Sequence, residues 1–148
     1  MHDNKFTNGF AQLLQEAVDT AQAQKNPTVS IVHFLNNLAQ HTLFKSALSK
    51  TKVSLSILSD LIKNELQRIP ASNNPSQVIP DQSFQEFLRI CQDESKKLTD
   101  EFISIDVGIF ALTKLQQLPT SIKKLLEAGN FTYATIQSWL TELRKGTL

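Results

Sequence analysis

Glycine is scarce in this sequence, and its scarcity excludes the two common kinds of nucleotide-binding loop. The chain has four glycines in 148 residues, Gly9, Gly108, Gly129 and Gly146, and no two of them are close together. A loop that binds phosphate needs clustered glycines, because several backbone N–H groups must converge on the anion without clashes from Cβ atoms. The sequence therefore contains neither a P-loop nor a dinucleotide-binding glycine motif.

Cysteine, net charge and long apolar runs are also scarce. The single cysteine, Cys91, excludes an internal disulfide and a zinc site built from several cysteines. The formal net charge of +1 argues against a broad surface for nucleic acid. No apolar run approaches the roughly 20 residues that span a bilayer, and the first residues do not form a signal peptide. We therefore expect a soluble, cytoplasmic, single-domain protein that binds neither nucleic acid nor a membrane.

What the sequence has in abundance is helical periodicity. Apolar side chains recur at intervals of three and four residues through most of the chain, and this period predicts amphipathic helices. Eight such stripes can be counted, and no segment favours a strand. Residues that can cap a helix N-terminus stand at the start of five of the stripes: Thr7, Ser30, Ser54, Ser83 and Thr132. Ser83 is followed by Glu86 in the pattern of a capping box. The predicted fold class is all-α.

The eight predicted helices divide into two sets of four. A shift of 74 residues aligns Phe10 with Phe84 and Ile31 with Ile105, and the apolar positions between them stay in register. The segment between the two sets carries three of the five prolines and no charge, which predicts an extended linker. We therefore expect one domain, residues 1–148, built as a pseudo-two-fold duplication of a four-helix unit. Repeat one covers about 6–69, the linker 70–80 and repeat two about 81–146.

The residues that could carry chemistry do not form a recognisable catalytic or metal-binding pattern. The three histidines include no H-x-x-x-H pair, and His33 and Cys91 lie on apolar stripes where a structural role is expected. Five acidic residues fall within fourteen positions: Asp93, Glu94, Asp100, Glu101 and Asp106. Such a run is typical of a solvated turn, and an acid at a helix start complements the helix dipole. We expect no catalytic residue, no metal site and no cofactor in this chain.

Three motifs resemble the N-terminal domain of Clp ATPases, and among them most closely the ClpB-type disaggregases. They are residues 7–10 (TNGF) at the start of the first helix, residues 100–106 (DEFISID) in a turn, and residues 125–129 (LLEAG). Residues 28–35 (TVSIVHFL) keep the histidine of the family's F-I-x-P-E-H-L-L pattern and lose its proline and glutamate. The resemblance covers about residues 4–146 and includes the duplication and the linker.

The resemblance implies a non-catalytic module that binds unfolded or aggregated protein substrates ahead of an AAA+ motor. The parent would be a hexameric ATPase that threads aggregated proteins through a central pore and works with the DnaK chaperone system. ATP and magnesium would bind only to motor domains of the parent that are not in this chain. We expect this chain to be an excised domain, and a monomer when isolated.

The resemblance also implies which residues contact the substrate. By motif these are Thr7, Asp100 and Asp106, with Leu88 and Val107 in an apolar groove between the repeats. Asp106 stands where the family usually has glutamate. Thr7 has a second, structural interpretation as a helix cap.

The expected mechanism is weak capture. A shallow groove with a few exposed apolar contacts would hold an unfolded segment, and an acidic rim would attract its basic residues. Glu94 stands where close relatives carry an apolar residue, which predicts a smaller or more selective groove.

Two other functions stay open at this stage. One is a ClpA- or ClpC-like N-domain of a Clp protease unfoldase, which docks a dedicated folded adaptor on a fixed patch. The other is a small helical enzyme or a stand-alone regulator.

Overall fold

The residues that the structure describes form eight α-helices, as the sequence predicts. The structure is a computed structural model, and it describes residues 5–73 and 77–146; the chain ends and residues 74–76 of the predicted linker lie outside the described residues. Within the described ranges the helices are α1 (Asn8–Ala23), α2 (Ile31–Leu38), α3 (Thr42–Leu48), α4 (Leu55–Arg68), α5 (Gln82–Lys97), α6 (Ile105–Ala111), α7 (Thr120–Ala128) and α8 (Tyr133–Arg144). A short 3₁₀ turn (Leu112–Lys114) follows α6. The all-α class is confirmed.

The helix starts repeat along the chain. Helices α1 and α2 begin 74 residues before α5 and α6, and α3 and α4 begin 78 residues before α7 and α8. The first spacing is the shift that aligns the apolar stripes in the sequence. The helix order therefore supports the interpretation of two repeats of four helices.

Most of the predicted caps have the expected geometry. Thr7, Ser30, Ser54 and Thr132 each accept a hydrogen bond from a backbone N–H in the first turn of their helix. The prediction for α5 is wrong, since Asp81 is its N-cap and accepts from the Phe84 N–H at 3.0 Å. Because α5 begins at Gln82, Ser83 falls within the first turn and Asp81 takes the capping position two residues earlier.

The linker ends in a short strand that the sequence does not predict. Strand β2 (Ile79–Pro80) pairs in parallel with β1 (Thr28–Val29), and the Asp81 N–H donates to the Val29 carbonyl at 2.9 Å. Two residues per strand are too few to produce a period of two in the sequence, so this pairing has no local signal. The pairing fixes the end of the linker to the first repeat.

One hydrophobic core serves both halves of the chain. Phe34 of α2 and Phe87 of α5 lie 4.9 Å apart between ring centroids, and Phe10 of α1 stacks beside Phe87 at 6.4 Å. All three rings are buried. Helix α6 comes close to this cluster at Gly108, where a Cβ atom would lie only 2.8 Å from Phe10 Cε2. This close approach places the start of α6, and the turn before it, against the start of α1.

Candidate functional site

The turn between α5 and α6 lies directly beside the start of α1. The Thr7 N–H donates to the Ile103 carbonyl at 2.9 Å, and the Ile103 N–H donates to the Lys5 carbonyl at 2.8 Å. Thr99, just after α5, has a φ of 57°, a left-handed conformation that reverses the chain direction after a helix. The structure therefore brings the start of α1 together with residues 101–105 of this turn, which lie almost a hundred positions later in the sequence.

Thr7 caps α1. Its Oγ1 accepts a hydrogen bond from the Phe10 N–H at 3.2 Å. Capping uses a lone pair of the hydroxyl oxygen, so the O–H group can still donate to a ligand. The half-buried side chain is thus compatible with both interpretations from the sequence.

The two acids of the turn are paired with an arginine. Arg144, the last residue of α8, donates from Nη1 and Nη2 to the two carboxylate oxygens of Asp100, both at 2.8 Å. Its Nε–H donates to Asp106 Oδ2 at 3.1 Å. The hydrogen bonds to Asp100, with the added charge of Asp106, raise the pKa of Arg144 above its ordinary value. Asp100 and Asp106 are 18% and 13% exposed at their side chains.

This pairing changes the expected character of the site. The sequence predicts an acidic rim that attracts basic residues, whereas the structure shows an acid pair that already holds a guanidinium group. Sequence reasoning missed Arg144 because it lies 38 and 44 residues after the two acids. The only local signal is a basic residue in the last turn of a helix, which is common.

Two apolar side chains of the same turn are exposed. Leu98 is 37% exposed and Phe102 is 45% exposed, although both are large hydrophobic residues. Lys5 Nζ lies 6.0 Å from the ring centroid of Phe102 and 3.7 Å from Glu101. We call the surface formed by Thr7, Leu98, Asp100, Phe102 and Asp106 the turn surface. Leu98 and Phe102 were absent from the predicted site, although Phe102 lies within the motif that indicated it.

Val107 does not belong to an exposed groove. Its side chain is fully buried, and residues 108–111, which continue α6 to its end, are buried as well. The expected contact between Val107 and a ligand is therefore corrected: the side chain packs inside the domain. The signal was present, since residues 107–112 (VGIFAL) carry no polar side chain and a helix that is apolar all round is buried.

Leu88 lies in the first half of α5, well before the turn that follows this helix. Its side chain is half-buried and packs against the core from the middle of α5. With a rise of about 1.5 Å per residue, Leu88 is roughly 15 Å along the helix axis from Leu98. The expected contact between Leu88 and a substrate stays a prediction.

Glu94, near the end of α5, is buried in an ion-pair cluster. Lys114 Nζ lies 2.8 Å and Lys97 Nζ 3.2 Å from Glu94 Oε2. Burial by itself would raise the pKa of Glu94, but the hydrogen bonds from the two lysines outweigh it and hold this pKa below its ordinary value. A groove of about 490 Å³ runs past the cluster and is lined mainly by charged side chains. The carboxylate is thus held in the body of the domain.

Cys91 and the metal-ligating side chains are the remaining candidates for a chemical role. Cys91 is fully buried, and burial raises the pKa of its thiol well above the ordinary value, which keeps it a thiol. In the part of the chain that the structure describes, no group of three or more metal-ligating side chains is close enough to hold an ion. Among the same residues, no helix is long and apolar enough to cross a membrane.

The protein is thus a helical domain with two sets of four helices and an exposed turn beside the first helix. A family model, the Clp repeat (R) N-terminal domain, matches residues 5–128. The chain therefore belongs to this family, and the resemblance stated from its motifs is confirmed.

The similar curated proteins are ClpB chaperones. The chain is 29% identical over 122 residues to the chaperone protein ClpB of Chlamydia caviae. The matched region covers 78% of this chain and 14% of that protein. It is 25% identical over 147 residues to ClpB of Chlamydia trachomatis, which covers 97% of this chain and 17% of that protein. The chain thus spans only about a sixth of the length of these relatives.

Solved structures share the fold. The N-terminal domain of Hsp104 from Candida albicans has a TM-score of 0.79 at 21% identity, covering 98% of this chain and 94% of that one. The N-domain of ClpV from Vibrio cholerae has a TM-score of 0.75 at 14% identity, covering 94% of this chain and 82% of that one. At these identities the likeness shows the fold alone.

Proposed function

We propose that this chain is the substrate-binding N-domain of a ClpB-type disaggregase. It captures unfolded or aggregated polypeptide weakly and releases it to an AAA+ motor that is not in this chain. The family match and the ClpB relatives support the class of parent protein. The observation that carries the binding function is the exposure of Leu98 and Phe102 on a turn that backbone hydrogen bonds hold against the start of α1.

The turn surface has the properties that weak capture requires. A dissociation constant of about 0.1–1 mM corresponds to roughly −4 to −5.5 kcal/mol. Full burial of one large apolar side chain contributes about 1.5–3 kcal/mol. Leu98 and Phe102 are already partly covered, so together they supply a few kcal/mol and allow rapid release. Several copies on a hexameric parent would compensate through avidity.

The parent protein would supply everything else. Its motor domains would bind ATP and magnesium, form the hexamer, and cooperate with the DnaK chaperone system in the cytoplasm. The isolated domain would be a monomer without catalytic activity. Its own contribution would be the brief retention of a substrate segment.

An amide-shift NMR titration of the domain with reduced casein, a permanently unfolded protein, tests the proposal. We expect weakly saturating shifts that cluster at Thr7 and at residues 98–106. Truncation of the two exposed side chains, in a Leu98→Ala/Phe102→Ala variant, should weaken binding at least fivefold.

The control is Ile57→Ala, because Ile57 is also exposed but lies on α4. This variant should bind casein with unchanged affinity. Equal affinities of the double variant and the wild type, with both folded, would refute the assignment of the turn surface. An absence of shifts at millimolar casein would favour the docking of a folded adaptor instead.

A further inference from the structure

We infer that Arg144 determines the specificity of the turn surface. It pairs with Asp100 and Asp106, and so it takes the place that a basic side chain of a ligand would otherwise fill. With Arg144 in place, the surface selects apolar segments over arginine-rich ones. The inference rests on the proposed binding function and concerns which segments that surface prefers.

The first argument is that the carboxylate oxygens of the acid pair already have partners. Both oxygens of Asp100 accept from Arg144, and so does Oδ2 of Asp106. Oδ1 of Asp106 accepts from the Val107 N–H at 2.9 Å and from the Ser104 hydroxyl. A basic ligand side chain must therefore displace Arg144 to form a bidentate pair, and it gains little in exchange.

The second argument is electrostatic. Among the described residues, the turn supplies three carboxylates, those of Asp100, Glu101 and Asp106, and two cations pair with them, those of Lys5 and Arg144. The five side chains therefore sum to −1, whereas the three acids alone would give −3. Attraction for a basic segment is reduced accordingly, while the apolar side chains Leu98 and Phe102 stay exposed.

The third argument is that the pair lies within reach of solvent. The Arg144 side chain is 34% exposed, so a ligand can approach the guanidinium group without unfolding α8. A buried ion pair would have only a structural role, since its exchange would expose a desolvated charge. This one combines strong bidentate geometry with accessibility, and so it can compete with a ligand.

The experiment compares the binding of two synthetic peptides to the whole chain. One is an unstructured twelve-residue peptide of leucine and serine, and the other has three of its serines replaced by arginine. Binding is measured by NMR titration at about 50 mM and 300 mM sodium chloride. For Arg144→Gln we expect affinity for the arginine peptide to rise about five- to tenfold at low salt, with a smaller gain at high salt. Affinity for the apolar peptide should change less than twofold.

Two further variants separate specificity from stability. Arg89→Gln is the matched control, because Arg89 also lies on a helix surface and pairs with an acid, Asp93, at 3.4 Å. It should bind both peptides as the wild type does. Arg144→Lys keeps the charge and loses the bidentate geometry, so it should show a smaller gain than Arg144→Gln. If the glutamine variant does not fold, the lysine variant alone decides the question.

A signal in the wild type provides an independent measurement. The Arg144 Nε–H resonance should shift when the arginine peptide saturates the domain and stay unchanged with the apolar peptide. Binding of neither peptide by the wild type would refute the proposed function. Binding of the apolar peptide, with no gain for the arginine peptide in the folded Arg144 variants, would overturn this inference and leave the proposed function intact.

Discussion

At the scale of single residues, His33 shows how burial fixes a protonation state. The backbone N–H of Ser30 donates to Nδ1 at 2.9 Å, so Nδ1 carries no proton and Nε2–H donates to Asn26 Oδ1 at 2.8 Å. Burial lowers the pKa of His33, and the negative charge of Asp81 offsets only part of this effect. A proton on Nδ1 would also face the Ser30 N–H. The folded domain therefore holds a neutral imidazole.

This arrangement predicts a dependence of stability on pH. As the pH falls below about 6.5, the unfolded chain takes up a proton that folded His33 does not accept. The free energy of unfolding should therefore decrease from pH 6.5 down to the lowered pKa of the folded state. Urea denaturation at about pH 7.5 and 5.5 measures the difference. His33→Gln should reduce this difference, and a full difference in the His33 variant would contradict the argument.

Gly108 is a second residue whose identity is fixed by its neighbour. A Cβ atom there would lie 2.8 Å from Phe10 Cε2, and the buried ring has little room to move. We expect Gly108→Ala to lower the free energy of unfolding by about 1–3 kcal/mol, as overpacking does elsewhere. The matched control is Gly9→Ala, where the new Cβ meets only the flexible end of Ile105 at 3.0 Å. Thermal unfolding of both variants would show whether Gly108 is needed for packing.

At the scale of secondary-structure elements, the caps show what local sequence encodes. Four predicted caps are confirmed because each bond joins residues only two or three positions apart. Ser83 was assigned wrongly as a cap because its partner is distant. It lies inside α5, where its Oγ accepts from the Ile31 N–H at 3.1 Å and donates to Asp81 Oδ1 at 2.7 Å. This serine connects the two halves of the chain.

The cap at α1 can be separated from any contact with a ligand. Thr7→Ala removes the hydrogen bond to the Phe10 N–H and should cost about 1 kcal/mol of folding stability. Thr7→Asn keeps an oxygen that can cap the helix and should restore most of that stability, although the hydroxyl is gone. Urea denaturation measures the stability of both variants, and casein titration measures whether loss of the hydroxyl weakens binding. Wild-type affinity in the asparagine variant would assign Thr7 to the helix cap alone.

At the scale of the whole molecule, the two halves share their core. Trp139 of α8 is fully buried, and its Nε1–H donates to the Ser46 hydroxyl of α3 at 3.0 Å. The aromatic cluster likewise combines rings from the first and second halves. Each half therefore exposes a large apolar surface when the other is removed, and this distinguishes the domain from an array of independent repeats.

Cooperative unfolding follows from this shared core. Trp139 is the single tryptophan and reports on the contact between the two halves, whereas far-UV circular dichroism reports on the helices of both. We expect the two signals to give the same midpoint in urea, as in a two-state transition. A chain cut after residue 73 should show little helix. Separate transitions for the two signals would mean that the halves fold independently.

The sequence by itself determined the helices, most of their caps and the two sets of four. It also determined the family, through motifs at residues 7–10 and 100–106. These features depend on side chains a few positions apart, so periodicity and short patterns contain them. The sequence also places Phe102 within the second motif, but it does not show that this side chain is exposed.

Only the tertiary structure decided the composition of the turn surface. The packing of α6 into the domain buried Val107, whereas Leu98 and Phe102 of the turn before it stayed exposed. The end of α8 brought Arg144 to two acids that precede it by 44 and 38 residues. Burial and ion pairing between distant segments depend on where the helices pack, and no local pattern of residues records that.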